Sequence, residues 1–368
     1  MIRWIKKETV LVIAVILSLA SMIAVPPSAG YLHYIDYSVI GILFCLMLAV
    51  AGFTELGVLR SISVKLTTKA NNIKILRMIL VNCVFFSSMF FTNDVALIAF
   101  VPITVSIFRL IGQETLISTI ILETLAANIG SMLTPIGNPQ NLYLYSFYHI
   151  PISAFLKIVL PIGIVGYILM MGCLLVSKNG RITVAMQYQP DRKNKKILLP
   201  YFVCIFLLCI GTVLHVIDYR LCVAAVLVSI LILDKKLLKK VDYGLLLTFA
   251  AFFIFVGNVQ QMPIVRDTLS YFLADKTLGT SIVSSQIISN VPAAMMISHF
   301  TTDARGALLG VNIGGIGTPI ASLASLISFK LYAKSDGAVP IKYLKLFTVY
   351  NAAFLLCLIL VAIIWFPR

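Results

Sequence analysis

Charged residues are scarce in this 368-residue chain, and acidic residues are the scarcest of them. Only 12% of the residues are charged, with 14 Asp and Glu against 29 Lys and Arg, and the chain has four His and two Trp. Soluble domains carry about a quarter of charged residues, so this composition excludes a soluble protein. Hydrophobic residues make up 60% of the chain, and the mean hydropathy is +1.01. The composition therefore predicts a polytopic, all-α membrane protein.

Motifs of intramembrane enzymes are also absent from the sequence. It contains neither a His-Glu-x-x-His metal pair nor a Gly-x-Ser-x-Gly nucleophile, the patterns that such chemistry uses. The seven Cys lie in apolar runs without metal or redox spacing, and we interpret them as small buried side chains. We therefore predict that the protein is not an enzyme and that it binds no cofactor other than a coupling ion.

The net charge of +15 reflects an excess of Lys and Arg, and these basic residues are concentrated in particular loops. With the N-terminus in the cytoplasm, most of the 29 Lys and Arg fall on the cytoplasmic side, including those of the basic linker 177–196. Cytoplasmic loops of membrane proteins carry this excess. We predict an inner-membrane protein with a cytoplasmic N-terminus and an outer C-terminus, surrounded by lipid and without a nucleic-acid partner.

Residues 77–109 do not fit a simple membrane span. Arg77 and Arg109 flank an apolar run that is too long for one crossing and too short for two. A re-entrant hairpin with its tip at Thr92, Asn93 and Asp94 satisfies both the length and the charge. Such irregular backbone is tolerated at membrane depth only where protein or a wet cavity surrounds it.

Two stretches, half a chain length apart, carry nearly the same motif. Residues 128–136 read Asn-Ile-Gly-Ser-Met-Leu-Thr-Pro-Ile, and residues 312–320 read Asn-Ile-Gly-Gly-Ile-Gly-Thr-Pro-Ile. Each follows an Asn in an otherwise apolar run, Asn93 in the first half and Asn290 in the second. Paired segments broken by Gly and Pro are the best sequence pointer to the binding site of a secondary transporter.

Chance similarity between Gly-rich membrane helices is the alternative explanation of this repeat. Gly306, Gly310 and Gly314 form a stripe of the kind that lets membrane helices pack closely. Packing alone does not require the shared Asn, Thr and Pro, so we favour a true duplication.

The duplication predicts an inverted repeat, because a single linking helix makes the second half start from the opposite side of the membrane. Each half has two scaffold helices, a re-entrant hairpin, a broken helix and a further helix. The predicted units are the first repeat 1–176, with hairpin 77–109 and broken helix 114–148; the linker and linking helix 177–218; and the second repeat 219–368, with hairpin 262–300 and broken helix 304–333.

The broken segments place helix N-termini near the membrane centre. Asn138 and Thr318 each precede a Pro, so each is predicted to cap a helix that restarts at that Pro. A helix N-terminus carries about half a positive charge and free N–H groups, which favours an anionic substrate without a dedicated Arg. The predicted substrate-binding residues are Thr92, Asn93, Thr134, Pro135, Asn138, Ser289, Asn290, Thr318 and Pro319.

Oxygen atoms at the same breaks suit a hard cation such as sodium. For the serines, the alternative is ordinary hydrogen bonding to the preceding helical turn. The predicted sodium ligands are Ser88, Asn93 and Gly137 in the first half and Ser285, Asn290 and Ala321 in the second.

Two carboxylates, Asp94 and Glu123, fall inside the predicted membrane region, and their counterparts in the second half are apolar or neutral. An intramembrane carboxylate costs roughly 2.5–3.5 kcal/mol on insertion scales, so it marks a functional site. We predict that Asp94 is the proton or sodium site and that Glu123 supports it from the next layer of residues. The alternative is that Asp94 only caps the second arm of the hairpin.

Together these motifs resemble the ion transporter superfamily, which holds divalent-anion/sodium symporters, citrate carriers, arsenite-efflux permeases and a class of sodium/proton antiporters. The resemblance implies a homodimer in which a transport domain of hairpins and broken helices moves as an elevator against a scaffold domain. It rests on Thr92-Asn93-Asp94, on the segment from Asn128 to Asn141, on Ser289-Asn290-Val291-Pro292 and on the run from Gly310 to Ser325.

The hairpin tips distinguish branches of the superfamily. Its dicarboxylate symporters carry Ser-Asn-Thr at both tips, whereas this chain has Asp94 and Val291 at the third positions. The acidic tip is similar to the arsenite and sodium/proton branches, and the second-half motif is similar to citrate-type carriers. We predict a secondary active transporter of a small anion, an organic acid or oxyanion, coupled to sodium or protons. The alternative is a sodium/proton antiporter or arsenite efflux permease that uses Asp94.

Overall fold

The computed structural model describes residues 9–67, 70–109, 111–177, 179–180, 198–273 and 276–366, and the regular elements in these ranges are helices. The basic residues predicted for the cytoplasmic N-terminus, most of the linker 177–196 and Arg368 lie outside the described residues.

The helices of the first half follow the predicted order, with two short additions. They are α1 (Thr9–Ala24), α2 (Tyr31–Tyr34), α3 (Tyr37–Glu55), α4 (Val58–Thr67), α5 (Ile73–Ser88), α6 (Asn93–Phe108), α7 (Gln113–Ser131), α8 (Pro139–Phe147) and α9 (Ile152–Val176).

The linking helix and the second half follow. They comprise α10 (Leu199–Val213), α11 (Tyr219–Leu233), a 3₁₀ helix (Lys235–Lys240), α12 (Tyr243–Gln260), α13 (Pro263–Leu273), α14 (Thr277–Ile288), α15 (Asn290–Ser298), α16 (Ala304–Gly314), α17 (Leu323–Ala333) and α18 (Pro340–Trp365).

Four of these helices, α3, α9, α12 and α18, are long and apolar enough to cross a membrane. The outer faces are apolar as well: on α18 the side chains of Val349, Leu356 and Ile363 are more than half exposed. An exposed apolar surface of this kind is rare on soluble proteins and suits contact with lipid. The protein is therefore a multi-pass helical membrane protein.

The first hairpin begins earlier than predicted. Asn72 caps α5 by accepting a hydrogen bond from the Ile75 N–H at 2.8 Å, and the chain turns between α5 and α6 just before Asn93. Arg77 was predicted to lie in a cytoplasmic loop, but it occupies the second turn of α5 and is only 5% exposed. Its charge is therefore part of the protein interior.

The second hairpin is shorter than the predicted range 262–300. It consists of α14 and α15, and α13 is a separate short helix that precedes it, as α4 precedes the first hairpin. The sequence analysis missed α4 and merged α13 with the hairpin. Both helices mix polar with apolar residues, so they lack the continuous apolar run by which a membrane span is recognised.

Both predicted broken helices are interrupted within the duplicated motif. Residues 132–138, here named the first break, separate α7 from α8. Residues 315–322, the second break, separate α16 from α17. The prediction of two interrupted helices at matching places in the chain is confirmed.

Only one of the two predicted caps forms. Asn138 caps α8, because its Oδ1 accepts a hydrogen bond from the Asn141 N–H at 2.9 Å. The prediction for Thr318 and for a restart at the following Pro is wrong, because α17 starts later and Ser322 caps it. Gly317, which precedes the Thr-Pro step, has a φ of 145°, a backbone conformation that residues other than Gly rarely adopt.

Glycine lets each hairpin lie close to its broken helix. In the second half, a Cβ at Gly310 would come within 2.3 Å of the Ser281 Cβ on α14, and one at Gly314 within 2.7 Å of the Ser285 Cβ. The stripe that includes these glycines is therefore a packing surface, as the sequence indicated.

The helices form two groups, which contact each other where α3 meets α8 and where α12 meets α15. In one group α1 packs against α12, and α3 packs against α10 and α11. In the other, α5 and α6 pack on α7, and α14 and α15 pack on α16. The halves interlock in this second group, since α6 also contacts α17 and α15 contacts α8.

Candidate functional site

Each hairpin tip is hydrogen-bonded to the break of its own half. The Asn93 N–H donates to the Gly137 carbonyl at 3.2 Å, and the Asn290 N–H donates to the Ala321 carbonyl at 2.9 Å. These are the first residues of α6 and α15 and the irregular residues near the ends of the two breaks. The hairpins therefore reach the helix interruptions, as their motifs predicted.

Amide side chains then join the two halves to each other. Asn312 donates through Nδ2 to the Asn141 Oδ1 at 2.6 Å and accepts at Oδ1 from the Asn138 Nδ2 at 3.4 Å. The Ser322 Oγ donates to the Asn128 Oδ1 at 3.0 Å. All five side chains are buried. We name this group of Asn128, Asn138, Asn141, Asn312 and Ser322 the polar centre.

Most of the polar centre was missed from the sequence. Only Asn138 was among the predicted site residues. Asn128 and Asn312 open the two copies of the duplicated motif, and this was the signal by which they could have been found. Asn141 and Ser322 gave no comparable signal, because their roles depend on which carbonyls and amides the breaks bring near them.

Gln286, on α14, was also missed. Its Nε2 donates to the Gly314 and Ile316 carbonyls at 2.6 and 3.2 Å, and its Oε1 accepts from the Thr318 N–H at 2.8 Å. The side chain thus satisfies carbonyls that the end of α16 leaves unpaired. Thr318 is exposed and holds the second break to α14, while Pro319 follows it within the break.

Asp94 lies on the wall of a cavity of about 910 Å³. The cavity runs between α3 and α4 on one side and α6 and α8 on the other, and Thr92 and Asn138 also line it. Within the described ranges the buried Asp94 Oδ1 has no hydrogen-bond partner. Two basic residues, Arg60 and Lys240, line the cavity as well, and Lys240 forms an ion pair with Glu55.

Glu123 is fully buried but lies apart from Asp94. Its Oε1 accepts a hydrogen bond from the Thr104 Oγ1, which lies on α6 roughly 15 Å beyond Asp94 at about 1.5 Å per residue. Arg77 interacts with it electrostatically and donates to the Ser118 Oγ at 3.0 Å. Glu123 therefore belongs to a buried polar group inside the first half. The sequence analysis predicted that it supports Asp94, but the structure places it against Thr104 instead.

The predicted sodium ligands all have partners in this structure. Ser88 and Ser285 donate to carbonyls of their own preceding turns, each at 2.8 Å, which is the alternative that the sequence left open. The carbonyls of Gly137 and Ala321 accept hydrogen bonds from the hairpin tips. These oxygen atoms are close to the polar centre and are already hydrogen-bonded.

The remaining predicted residues lie at the tips and in the breaks. Ser289, between α14 and α15, has a φ of 75°, which residues other than Gly rarely adopt, and its Oγ donates to the Ala321 carbonyl at 3.4 Å. The Thr134 Oγ1 donates to the Met89 carbonyl at 2.5 Å and ties the first break to the first hairpin. Pro135 is buried next to it.

Two hairpins and two broken helices that converge on one buried polar centre beside a cavity define a membrane carrier. A family model described as "Citrate transporter" matches residues 1–304. The chain belongs to this citrate transporter family, and the predicted resemblance to the ion transporter superfamily is confirmed. It is a transporter and not an enzyme.

Relatives of similar length carry matching descriptions. The chain is 35% identical over 315 residues to an uncharacterized transporter of Methanocaldococcus jannaschii, and the match covers 84% of each chain. It is 30% identical over 309 residues to the inner membrane protein YbiR of Escherichia coli, covering 81% of this chain and 80% of the relative. A 46 kDa membrane protein of Mycobacterium leprae is 23% identical over 354 residues, which is 84% of this chain and 81% of the relative.

Proposed function

We propose that the protein is a secondary active transporter of a small anion, an organic acid or an oxyanion, coupled to sodium or protons by an elevator-type mechanism. The observation that carries this proposal is the convergence of both hairpin tips and both breaks on one polar centre. The description of the family, a citrate transporter, supports a carboxylate as the substrate.

The contacts between helices support an inverted repeat with the units 1–176, 177–218 and 219–368. When each helix is exchanged for its counterpart in the other half, the contact of α1 with α12 becomes that of α11 with α3, and both occur. In the same way, the contact of α6 with α17 becomes that of α15 with α8. One linking helix, α10, then inverts the second half relative to the first.

The cavity supports an elevator motion. It separates α3, in the group with α1, α10, α11 and α12, from α6 and α8, which belong with the hairpins and breaks. In our proposal the first group is the scaffold and the second is the moving transport domain. The cavity is lined by Arg60 and Lys240, which are among the basic residues predicted to lie on the cytoplasmic side. In this proposal the cavity therefore opens towards the cytoplasm.

Electrostatics support coupling at Asp94. An anion beside an ionised carboxylate is repelled, most strongly where water is excluded. In this proposal Asp94 has to carry a proton or pair with sodium before the anion binds. This requirement couples the transport of the anion to the transport of the cation. In this proposal the positive ends of the dipoles of α6, α8, α15 and α17 attract the small anion.

The membrane location, the orientation and the number of subunits are proposed from the sequence. We propose a homodimer in the inner membrane, with the N-terminus in the cytoplasm and the C-terminus outside. The exposed apolar faces of α9 and α18 are compatible with lipid or with a second subunit.

A thermal-shift screen of the purified protein tests the function. Citrate, succinate, sulfate, arsenite, sodium and lithium are added singly and in pairs across a range of pH. Stabilisation by an anion that requires sodium or acid supports the coupled anion carrier. Failure of every anion to raise the melting temperature, under all conditions, contradicts it.

The second candidate is a sodium/proton antiporter or arsenite efflux permease. It is favoured by one observation, the carboxylate of Asp94 on the cavity wall, whose Oδ1 lacks a donor in the described part of the chain. In the same screen, stabilisation by sodium or lithium without any response to an organic acid or sulfate supports this candidate.

A further inference from the structure

A directional chain of hydrogen bonds connects the first hairpin tip with the second broken helix. The Asp94 N–H donates to the Asn93 Oδ1 at 3.0 Å, and the Asn93 Nδ2 donates to the Asn128 Oδ1 at 3.3 Å. The Ser322 Oγ donates to the same oxygen of Asn128 at 3.0 Å. A backbone N–H can only donate, so it sets the orientation of the Asn93 amide, which in turn sets that of Asn128.

This orientation leaves the amide nitrogen of Asn128 without an acceptor. The Nδ2 atom is buried and has no partner among the residues that the structure describes, and the whole residue is only 5% exposed. Rotating the amide by half a turn does not help, because it would set the N–H groups of Asn128 against those of Asn93. A buried donor is normally satisfied, so these two N–H groups require an acceptor from outside the described residues.

The counterpart of Asn128 in the second copy of the motif is Asn312, and its amide nitrogen is fully paired. The Asn312 Nδ2 donates to the Asn141 Oδ1 at 2.6 Å and to the Leu308 carbonyl at 2.8 Å. The Asn312 Oδ1 accepts from the Asn138 Nδ2. The Asn that opens the duplicated motif therefore has a structural role in the second half. In the first half its amide nitrogen has no partner among the described residues.

We infer that Asn128 recognises the transported anion, its amide N–H groups donating to an oxygen of a carboxylate or oxyanion. The inference rests on the proposed function, and it assigns the specificity of that site to a residue outside the hairpin tips. A sodium ion is excluded as the partner, because the Oδ1 already accepts two hydrogen bonds and the nitrogen only donates.

The residue at the start of this chain of bonds also carries an unsatisfied acceptor. At the hairpin tip the Asp94 Oδ1 is buried without a donor in the described ranges, while Asn128 has a donor without an acceptor. An anion that arrives with a proton or a sodium ion supplies both, with its oxygen for Asn128 and the cation for Asp94. Substrate and coupling ion then satisfy the two open polar groups together.

The substitution Asn128→Asp tests this inference. The carboxylate keeps the oxygen that accepts from Asn93 and Ser322 but replaces the N–H groups with a charge that repels an anion. With citrate, succinate and sulfate as probes, we expect the apparent affinity at pH 8 to fall roughly 10- to 100-fold, the range for lost hydrogen bonds to a charged group. At pH 5 the introduced carboxyl group, once protonated, donates again, so the difference from the unsubstituted protein should narrow.

Two further variants separate recognition from stability. Asn128→Asp and Asn312→Asp both bury a carboxyl group, which costs stability. Asn312→Asp also removes a donor that the protein itself uses, so we expect it to lower the melting temperature without ligand more than Asn128→Asp does. Asn128→Ser retains one donor and should weaken binding less than Asn128→Asp; it also serves if Asn128→Asp fails to fold.

The outcomes are distinct. If the unsubstituted protein is stabilised by an anion and Asn128→Asp or Asn128→Ser responds with equal affinity at both pH values, the amide of Asn128 binds only water and the inference is overturned. If the unsubstituted protein responds to no anion of the full screen described above, the proposed function itself has failed, and the inference fails with it.

Discussion

At the scale of single residues, the proposed function depends on polar groups that have no partner within the described part of the chain. Asp94 has a buried oxygen without a donor and Asn128 a buried nitrogen without an acceptor in the described part of the chain. An unsatisfied buried group costs about 1–3 kcal/mol, so each of these two groups lowers the stability of the protein without ligand. A ligand that pairs with them removes this cost and binds more tightly for that reason.

Asp94→Asn preserves the shape of the side chain but removes its charge. We expect transport to lose its dependence on protons or sodium and to fall by roughly tenfold or more, because the coupling carboxylate is gone. The melting temperature should stay equal or rise, since an unpaired buried carboxylate destabilises the fold. Uptake into proteoliposomes at pH 6 and 8, with and without sodium, measures the first effect. Unchanged coupling with lower stability would instead indicate a helix cap.

Arg77 and Glu123 are both buried within the first half and interact electrostatically. Removing one charge leaves the other uncompensated, so Arg77→Met should destabilise the protein more than the double variant Arg77→Met/Glu123→Gln. We expect a coupling energy of about 0.5–3 kcal/mol in a double-mutant cycle. Thermal unfolding in detergent measures it, and additive effects of the two substitutions would show that the charges act independently.

At the scale of helices, the architecture is set by close contact between hairpins and broken helices. The first hairpin packs on α7 as the second packs on α16, and small residues on α7 and α16 allow the approach. Close packing is the main force between helices in a membrane, because lipid removes the hydrophobic drive. These contacts hold each tip at its break.

Gly130→Ala tests this packing. A Cβ there would come within 2.2 Å of the Phe85 carbonyl and 2.4 Å of the Ser88 Oγ, so we expect a loss of about 1–3 kcal/mol through overpacking. Gly172→Ala is the matched control, because a Cβ at Gly172 meets nothing within 4 Å and Ala favours the helix. Melting temperatures in detergent compare the two, and equal effects would show that α5 and α7 are not tightly packed.

At the scale of the whole molecule, the proposed elevator requires the tip of the first hairpin to leave its place on the scaffold. In this structure the ring of Phe91 at that tip lies 5.4 Å from the ring of Phe53 on α3, measured between centroids. Phe206, on α10, lies 5.8 Å from Phe53 within the proposed scaffold. The two contacts therefore differ in whether the motion has to break them.

A reversible thiol cross-link between Phe53→Cys and Phe91→Cys should abolish transport, because it ties the transport domain to the scaffold. The control pair Phe53→Cys and Phe206→Cys should transport normally after cross-linking. Both pairs are placed in a variant with the seven native Cys replaced, and uptake is measured before cross-linking, after it and after reduction. Full transport by the cross-linked first pair would rule out the elevator motion.

Much of the element order was predictable because long apolar runs, Gly-Pro interruptions and a duplicated motif are local properties of the chain. The hairpins, the breaks and the cap at Asn138 follow from them. The short helices α4 and α13 were not predictable in this way, since neither has a long apolar run. The later start of α17, which Ser322 caps instead of Thr318, is not marked by a Pro in the sequence.

The sequence by itself determined the membrane class, the family and the two polar interruptions, because hydrophobic length, charge sorting and repeated motifs need no tertiary contact. Only the tertiary structure decided the partners of the polar side chains. It bonded Asn312 to Asn141, left the amide nitrogen of Asn128 without a partner among the described residues, and placed Glu123 against Thr104 rather than Asp94. Residues far apart in the chain form these pairs, so which polar groups are hydrogen-bonded is a property of the assembled helices.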